Sequence, residues 1–148
     1  MATNDAKRIN DAAAVVMEKY SGTAYAPRAA LIAAQVNAAS NDVPHAKVQL
    51  QWVIEHASED GLKSVAGLRL ASIMLDEKNY AGSLKLLEEK HADSFDALYA
   101  DLKGDVLNAQ GKPVEARAAY KQAFDKLDAK SDYRNLLQMK LDAFGAAK

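Results

Sequence analysis

A block of small residues and turn residues recurs along this chain, and this repeat constrains the fold more than any other feature. Each copy has one small residue in its first half and another in its second half. From Ala34 to Ala71 the step is 37 residues, and from Ala71 to Gly104 it is 33. The second-half residues Ala46, Ser83 and Ala116 follow at the same two steps. A period of this length predicts stacked two-helix units, because each unit leaves an apolar face that only its neighbours can bury.

Turn residues divide the chain into eight predicted helices joined by short connections. Thirty Ala among 148 residues, with only seven Gly and three Pro, favour helices over sheet. We predict one all-α domain over residues 1–148, in which Asn4-Asp5 cap the first helix and Ser58-Glu59-Asp60-Gly61 form a loop. The predicted hairpins cover about residues 25–57, 62–90 and 95–127, with single helices at about 5–20 and 132–144.

The single helices at the two ends carry apolar stripes at helical spacing. We interpret both as caps that cover the ends of the stack rather than as membrane-binding helices, because their polar faces carry both signs of charge. The stripes are Ile9, Ala13, Val16 and Tyr20 in the first helix, and Tyr133, Leu137, Leu141 and Phe144 in the last.

Charge and cysteine content exclude several classes of function. The net charge is −1, so no chain-wide field attracts nucleic acid or an anionic membrane, and without Cys there is no disulfide, thiol catalysis or Cys-bound zinc. No apolar stretch approaches the roughly 18 residues of a membrane span. The first five residues lack an export signal, so we expect either a protein that works where it is made or one whose upstream segment is missing from this sequence.

The third copy of the repeat resembles the tetratricopeptide repeat. Gly104, Gly111, Ala116, Tyr120 and Ala123 fall on the signature positions of that family. The resemblance implies a right-handed helical solenoid of three hairpins, capped by the first and last helices, with a concave inner wall formed by the first helix of each hairpin.

Two groups of polar residues are candidates for metal binding or acid–base catalysis. His45, Gln49, Trp52 and His56 share one predicted helix face, but the two histidines stand about 16 Å apart at about 1.5 Å per residue, too far to share a metal ion. We interpret this face as partly exposed. Asp101 and Asp105, one turn apart, could do acid–base work with a distant His, yet no nucleophile or glycine loop accompanies them. We therefore predict no enzyme activity and no catalytic, metal or cofactor-binding residues.

The register of tetratricopeptide stacks places one set of residues on the concave wall. We expect this wall to bind a protein segment through an apolar middle and an acidic end. The alternative is that Val65 and Leu68 are buried against the end helices and no groove is open. The predicted wall residues are Leu31, Gln35, Val65, Leu68, Ser72, Leu75, Leu98, Asp101, Asp105 and Asn108, with Ala38 beside them.

Three short runs of sequence also resemble the periplasmic domain of the YfgM-like family, the ancillary subunits of the bacterial SecYEG translocon. The runs are Leu68-Arg69-Leu70-Ala71, Ala100-Asp101-Leu102-Lys103-Gly104-Asp105 and Leu137-Gln138-Met139-Lys140-Leu141. The resemblance implies a non-enzymatic domain at the periplasmic face of the inner membrane, attached by an N-terminal anchor that this chain lacks. It also implies the translocon and periplasmic chaperones as protein partners, with no nucleic acid.

Three other functions remain open at this point. The chain could be a cytoplasmic tetratricopeptide-repeat scaffold. It could be an enzyme whose site joins Asp101, Asp105 and a distant His, or a structural domain that self-associates through its apolar end helices.

Overall fold

The computed structural model describes residues 2–145, and within that range the chain forms eight α-helices and no strand, which confirms the predicted all-α class. A 3₁₀ turn at Asp93–Phe95 precedes α6. None of the described helices combines the length and apolar character needed to cross a membrane. The helices are α1 Ala2–Lys19, α2 Tyr25–Ala39, α3 Val43–His56, α4 Asp60–Asp76, α5 Tyr80–Glu88, α6 Asp96–Ala109, α7 Pro113–Lys126 and α8 Asp132–Gly145.

Several predicted helix boundaries were wrong by two or three residues. Because α1 already begins at Ala2, Asn4 and Asp5 lie in its first turn instead of capping it. Asp60 and Gly61, predicted as loop, form the start of α4. An acidic residue in a first turn is favourable beside the positive end of the helix dipole, so Asp5 and Asp60 both suit their positions.

One turn geometry joins the two helices of every repeat. Asn41, Lys78 and Gly111 have φ values of 62°, 63° and 75°, in the left-handed region. These three residues follow each other at the same 37- and 33-residue steps that the small residues show. The next residue of each turn donates its backbone N–H to a carbonyl five positions back, as in a Schellman motif. These bonds join Asp42 to Asn37 at 2.7 Å, Asn79 to Met74 at 2.8 Å and Lys112 to Leu107 at 3.0 Å.

The six small residues that define the repeat are all buried, so none points to solvent. Small side chains let helix backbones approach closely, and α2 with α3, like α6 with α7, forms a tightly packed pair. The buried set is Ala34, Ala46, Ala71, Ser83, Gly104 and Ala116.

The described chain forms two compact units that meet within α4, and each has its own core. In the N-terminal unit, Met1–Ile73, α1 packs on α2 and α2 on α3. An amide cluster of Asn10, Asn37 and Gln49 ties these three helices together, with Asn37 only 1 % exposed. Tyr20 does not belong to the buried stripe of α1, because it follows the helix and is 56 % exposed.

In the C-terminal unit, Met74–Lys148, α8 packs on α7 through its apolar stripe. Leu137 is fully buried, and Tyr133, Leu141 and Phe144 pack around the same core. The guanidinium of Arg134 lies 4.1 Å from the centre of the Phe124 ring, which adds a cation–π contact between the two helices.

Candidate protein-binding cleft

A cleft of about 320 Å³ opens between α2 and α4 in the N-terminal unit. Ala34 and Ala38, one turn apart on α2, leave the space open because neither has a side chain beyond Cβ. Buried Leu50 of α3 forms an apolar floor. Exposed Gln35, Arg69 and Ser72 add polar groups, so the cleft combines apolar surface with hydrogen-bonding groups. Its lining residues are Ala34, Gln35, Ala38, Leu50, Arg69, Ser72 and Ile73.

The cleft brings together part of the predicted concave wall. Gln35 and Ala38 on α2 and Ser72 on α4 all line it, and all three are exposed. Leu31 is buried instead, and Val65 and Leu68 are half-buried away from the lining. Arg69 and Ile73 also line the cleft but were not among the predicted wall residues. Their signal was present, because Arg69 precedes Ser72 by three residues and therefore shares its face of α4.

The predicted acidic pair of the C-terminal unit is bonded to α8. Asp101, which is 7 % exposed, accepts hydrogen bonds from Tyr133 Oη and from Lys140 Nζ, the latter at 2.7 Å. Asp105 accepts from Tyr120 Oη at 2.6 Å and from the same Lys140 Nζ at 3.0 Å. The two carboxylates thus join α6 to α7 and α8, and no imidazole is among these partners.

The groups that donate hydrogen bonds to these two carboxylates have raised pKa values. Burial, followed by the hydrogen bond and charge of Asp105, raises the pKa of Tyr120. Burial together with Asp101 raises the pKa of Tyr133 in the same way. For Lys140, burial acts to lower the pKa, but the hydrogen bonds and charges of Asp101 and Asp105 outweigh it and raise the pKa. The cluster therefore holds neutral phenols and a charged ammonium at neutral pH.

The other predicted wall residues of the C-terminal unit lie apart from this cluster or at its edge. Leu98 and Asn108 are exposed and Leu75 is half-buried. Asn108 borders a second cleft, of about 400 Å³, together with Pro113, Tyr120, Lys140, Ala143 and Phe144. Lys140 and Tyr133 were not predicted as partners of the acidic pair, although their seven-residue spacing places them on one face of α8.

The histidine-bearing face of α3 differs from its predicted character at one position. Gln49 was expected on a partly exposed face, yet it is buried because it bonds Asn37 at 2.7 Å. His45 pairs with Asp42 at 2.7 Å, and His56 stacks on Trp52 with ring centres 4.3 Å apart. Within residues 2–145, no three acidic or histidine side chains gather as metal ligands would.

Comparison with known proteins gives one family for almost the whole chain. Residues 1–146 match the model of the tetratricopeptide repeat-like domain. No solved structure matches the chain significantly.

The curated relatives that match are ancillary SecYEG translocon subunits. The protein from Neisseria gonorrhoeae (strain ATCC 700825 / FA 1090) is 33 % identical over 135 residues, which cover 91 % of this chain and 65 % of the relative. The protein from Escherichia coli (strain K12) is 32 % identical over 118 residues, covering 80 % and 57 %. That from Haemophilus influenzae (strain ATCC 51907 / DSM 11121 / KW20 / Rd) is 30 % identical over 103 residues, covering 70 % and 50 %. The chain thus spans half to two thirds of these relatives' length.

Proposed function

The chain belongs to the tetratricopeptide repeat-like family, and we propose that it is a non-enzymatic protein-interaction domain of an ancillary SecYEG translocon subunit. The relatives with this name support the translocon as the partner. A domain of this kind works by presenting side chains from successive helices to an unfolded or extended segment of another protein.

One observation carries this proposal: residues from two different repeats line the same open cleft. Gln35 and Ala38 come from the first copy and Ser72 from the second, and the repeat register alone assigned all three to a binding wall. The cleft is lined by apolar side chains and a few polar ones, which is the usual composition of a recognition site. Of the predicted wall residues in the C-terminal unit, Leu98 and Asn108 are exposed, whereas buried Asp101 is bonded to α8.

We also place the domain at the periplasmic face of the inner membrane, where it would pass emerging chains to chaperones. This location rests on the resemblance to the YfgM-like family and on the names of the relatives. A reporter fused to the full-length gene product tests it, because a cytoplasmic scaffold would give the opposite signal.

The experiment for the interaction is direct binding between the purified chain and purified SecYEG. Ala38→Gln fills the cleft with a neutral side chain of good helix propensity, so we expect binding to weaken at least fivefold. The matched control is Ala39→Gln, which changes the next exposed residue of α2 outside the cleft lining.

Equal binding of both variants and the unchanged chain would contradict the cleft as the contact site. In that case Leu68→Glu combined with Leu75→Glu tests the rest of the predicted wall, with circular dichroism to verify that the helices persist. If that variant also keeps full affinity, the wall does not bind the translocon.

A further inference from the structure

The cleft between α2 and α4 contains an arginine whose charge nothing in the described chain balances. Arg69 is exposed and lines the cleft beside Ser72 and Ile73, and its side chain has no hydrogen bond or ion pair with any residue between 2 and 145. It is also the one charged side chain among the described lining residues.

In the same unit, the guanidinium of Arg28 is paired with a carboxylate and provides a comparison. Arg28 donates to both carboxylate oxygens of Glu59, at 2.9 and 3.0 Å, and to the carbonyl of Ala24 at 2.7 Å. A guanidinium has five N–H donors and no acceptor, and it prefers the paired oxygens of a carboxylate. Arg69 has no such carboxylate partner, so its guanidinium is available to pair with a carboxylate of a ligand bound in the cleft.

The remaining lining restricts the size and polarity of that ligand. A volume of about 320 Å³ lies at the lower end of the range for ligand sites, and it suits one or two side chains of an extended segment. Ala34, Leu50 and Ile73 offer only apolar contacts to a side chain inside. Gln35 and Ser72 can each donate and accept, as the backbone of an extended peptide requires.

We propose that this cleft binds an extended polypeptide segment whose apolar side chain enters between α2 and α4 while a neighbouring carboxylate pairs with Arg69. This inference rests on the proposed function and adds the chemistry of the bound segment. The apolar side chain supplies buried area, and the carboxylate selects segments in which an acidic residue lies next to the apolar one.

The test uses the full chain and four labelled peptides with identical Gly/Ser flanks. Their central pairs are Leu-Glu, Leu-Gln, Leu-Lys and Ala-Glu, and binding is followed by fluorescence anisotropy. We expect the Leu-Glu peptide to bind about two- to fivefold more tightly than Leu-Gln, the range expected for one charge-assisted pair at an exposed site. Leu-Lys and Ala-Glu should bind more weakly than Leu-Glu.

Variants of Arg69 decide whether that residue causes the preference. Arg69→Gln should abolish the difference between Leu-Glu and Leu-Gln, Arg69→Lys should retain part of it, and Arg69→Glu should favour Leu-Lys. The matched control is Arg117→Gln, which removes an exposed helical arginine of α7 and should leave the preference unchanged. A preference that survives Arg69→Gln, or equal binding of Leu-Glu and Leu-Gln, overturns the inference.

Ala38→Gln separates this inference from the proposed function. If it blocks every peptide while no acidic preference exists, the cleft binds protein but the role of Arg69 is wrong. If the peptides bind Ala38→Gln as well as the unchanged chain, or none binds at millimolar concentration, the inference fails, and the proposed function is then decided by the SecYEG binding experiment alone. If Ala38→Gln instead dissociates a dimer in analytical ultracentrifugation, the occupant is a second copy of the chain and the inference also fails.

Discussion

The ring of Tyr120 on α7 occupies the space beside Gly104 on α6 that a β-carbon would need. An added Cβ at Gly104 would overlap three atoms of this ring, and Tyr120 is buried and bonded to Asp105, so the ring has little room to move. The absence of a side chain at Gly104 therefore lets α6 and α7 pack at their observed distance.

We predict that Gly104→Ala destabilises the chain by about 1–2 kcal/mol. Overpacking a core costs about 1–3 kcal/mol, and the better helix propensity of Ala returns part of it. Urea denaturation measures the change in the free energy of unfolding. The control is Gly61→Ala in α4, where nothing lies within 4 Å of the added Cβ, and we expect it to be neutral or stabilising. Equal effects of both substitutions would contradict the packing argument.

Lys78→Gly should stabilise the chain by about 0.5–1 kcal/mol. Lys78 has φ 63° in a turn where the third repeat has Gly111, and a left-handed conformation costs a residue with a Cβ about 1–2 kcal/mol. The greater freedom of Gly in the unfolded state offsets part of that gain. Thermal or urea unfolding checks the prediction, and Gly111→Lys should change stability in the opposite direction. A loss of stability on Lys78→Gly would show that the side chain matters more than the backbone strain.

Asn37→Leu should cost about 1–3 kcal/mol, even though Met74 and Leu107 occupy the corresponding positions of the other repeats. The substitution removes the hydrogen bonds that Asn37 makes with half-buried Asn10 and buried Gln49, and leaves only the longer bond of 3.3 Å between those two amides. Urea denaturation gives the stability, and hydrogen exchange of α1 shows whether this helix loosens first. Replacing all three amides by Leu should recover most of the loss, because no polar group then remains unpaired. Failure of the triple variant to recover would contradict the role of the amide cluster.

Lys140→Met should destabilise the C-terminal unit by about 2 kcal/mol. The change removes the cation bonded to Asp101 and Asp105, and breaking a buried pair costs more than breaking an exposed one because a buried charge is left without an opposite charge. The two carboxylates then keep only the hydrogen bonds from Tyr133 and Tyr120. The partial exposure of Lys140 lowers the expected cost below that of a fully buried pair. Adding Asp101→Asn to Lys140→Met should restore part of the stability in urea denaturation. Lys121→Met, at an exposed position of α7, is the control.

The free energy of unfolding should fall as the pH rises above about 10. Burial, followed by the charge of Glu89, raises the pKa of Tyr99 to about 12, so the unfolded chain loses this proton first and unfolding becomes easier between about pH 10 and 12. The raised pKa of Lys140 acts in the same direction, because its stabilising charge is full below the unfolded pKa and is lost as pH rises through the folded pKa. Urea denaturation across this pH range should give a less steep fall for Tyr99→Phe. An unchanged slope would contradict the assignment.

The acidic pair illustrates how far the sequence could predict the candidate site. The one-turn spacing of Asp101 and Asp105 correctly places them on one face of α6, but the spacing is equally compatible with a solvated pair. Lys140, 39 residues after Asp101, bonds both carboxylates only because α8 packs against this part of the molecule. The cleft on α2 was predicted more fully, since Gln35, Ala38 and Ser72 follow from the repeat register, whereas Arg69 was missed.

By itself the sequence determined the helices, the turns between them and the positions where neighbouring helices approach closely. These features depend on side-chain size, on apolar spacing and on local backbone conformation. All three are determined by residues that lie within one or two helical turns of each other in the sequence. The tertiary structure alone decided which polar groups are paired, such as Asn37 with Gln49. It also decided which charged side chain has no partner among the described residues, such as Arg69 in the cleft. Pairing depends on distances between side chains on separate helices, and those distances are set only when the helices pack.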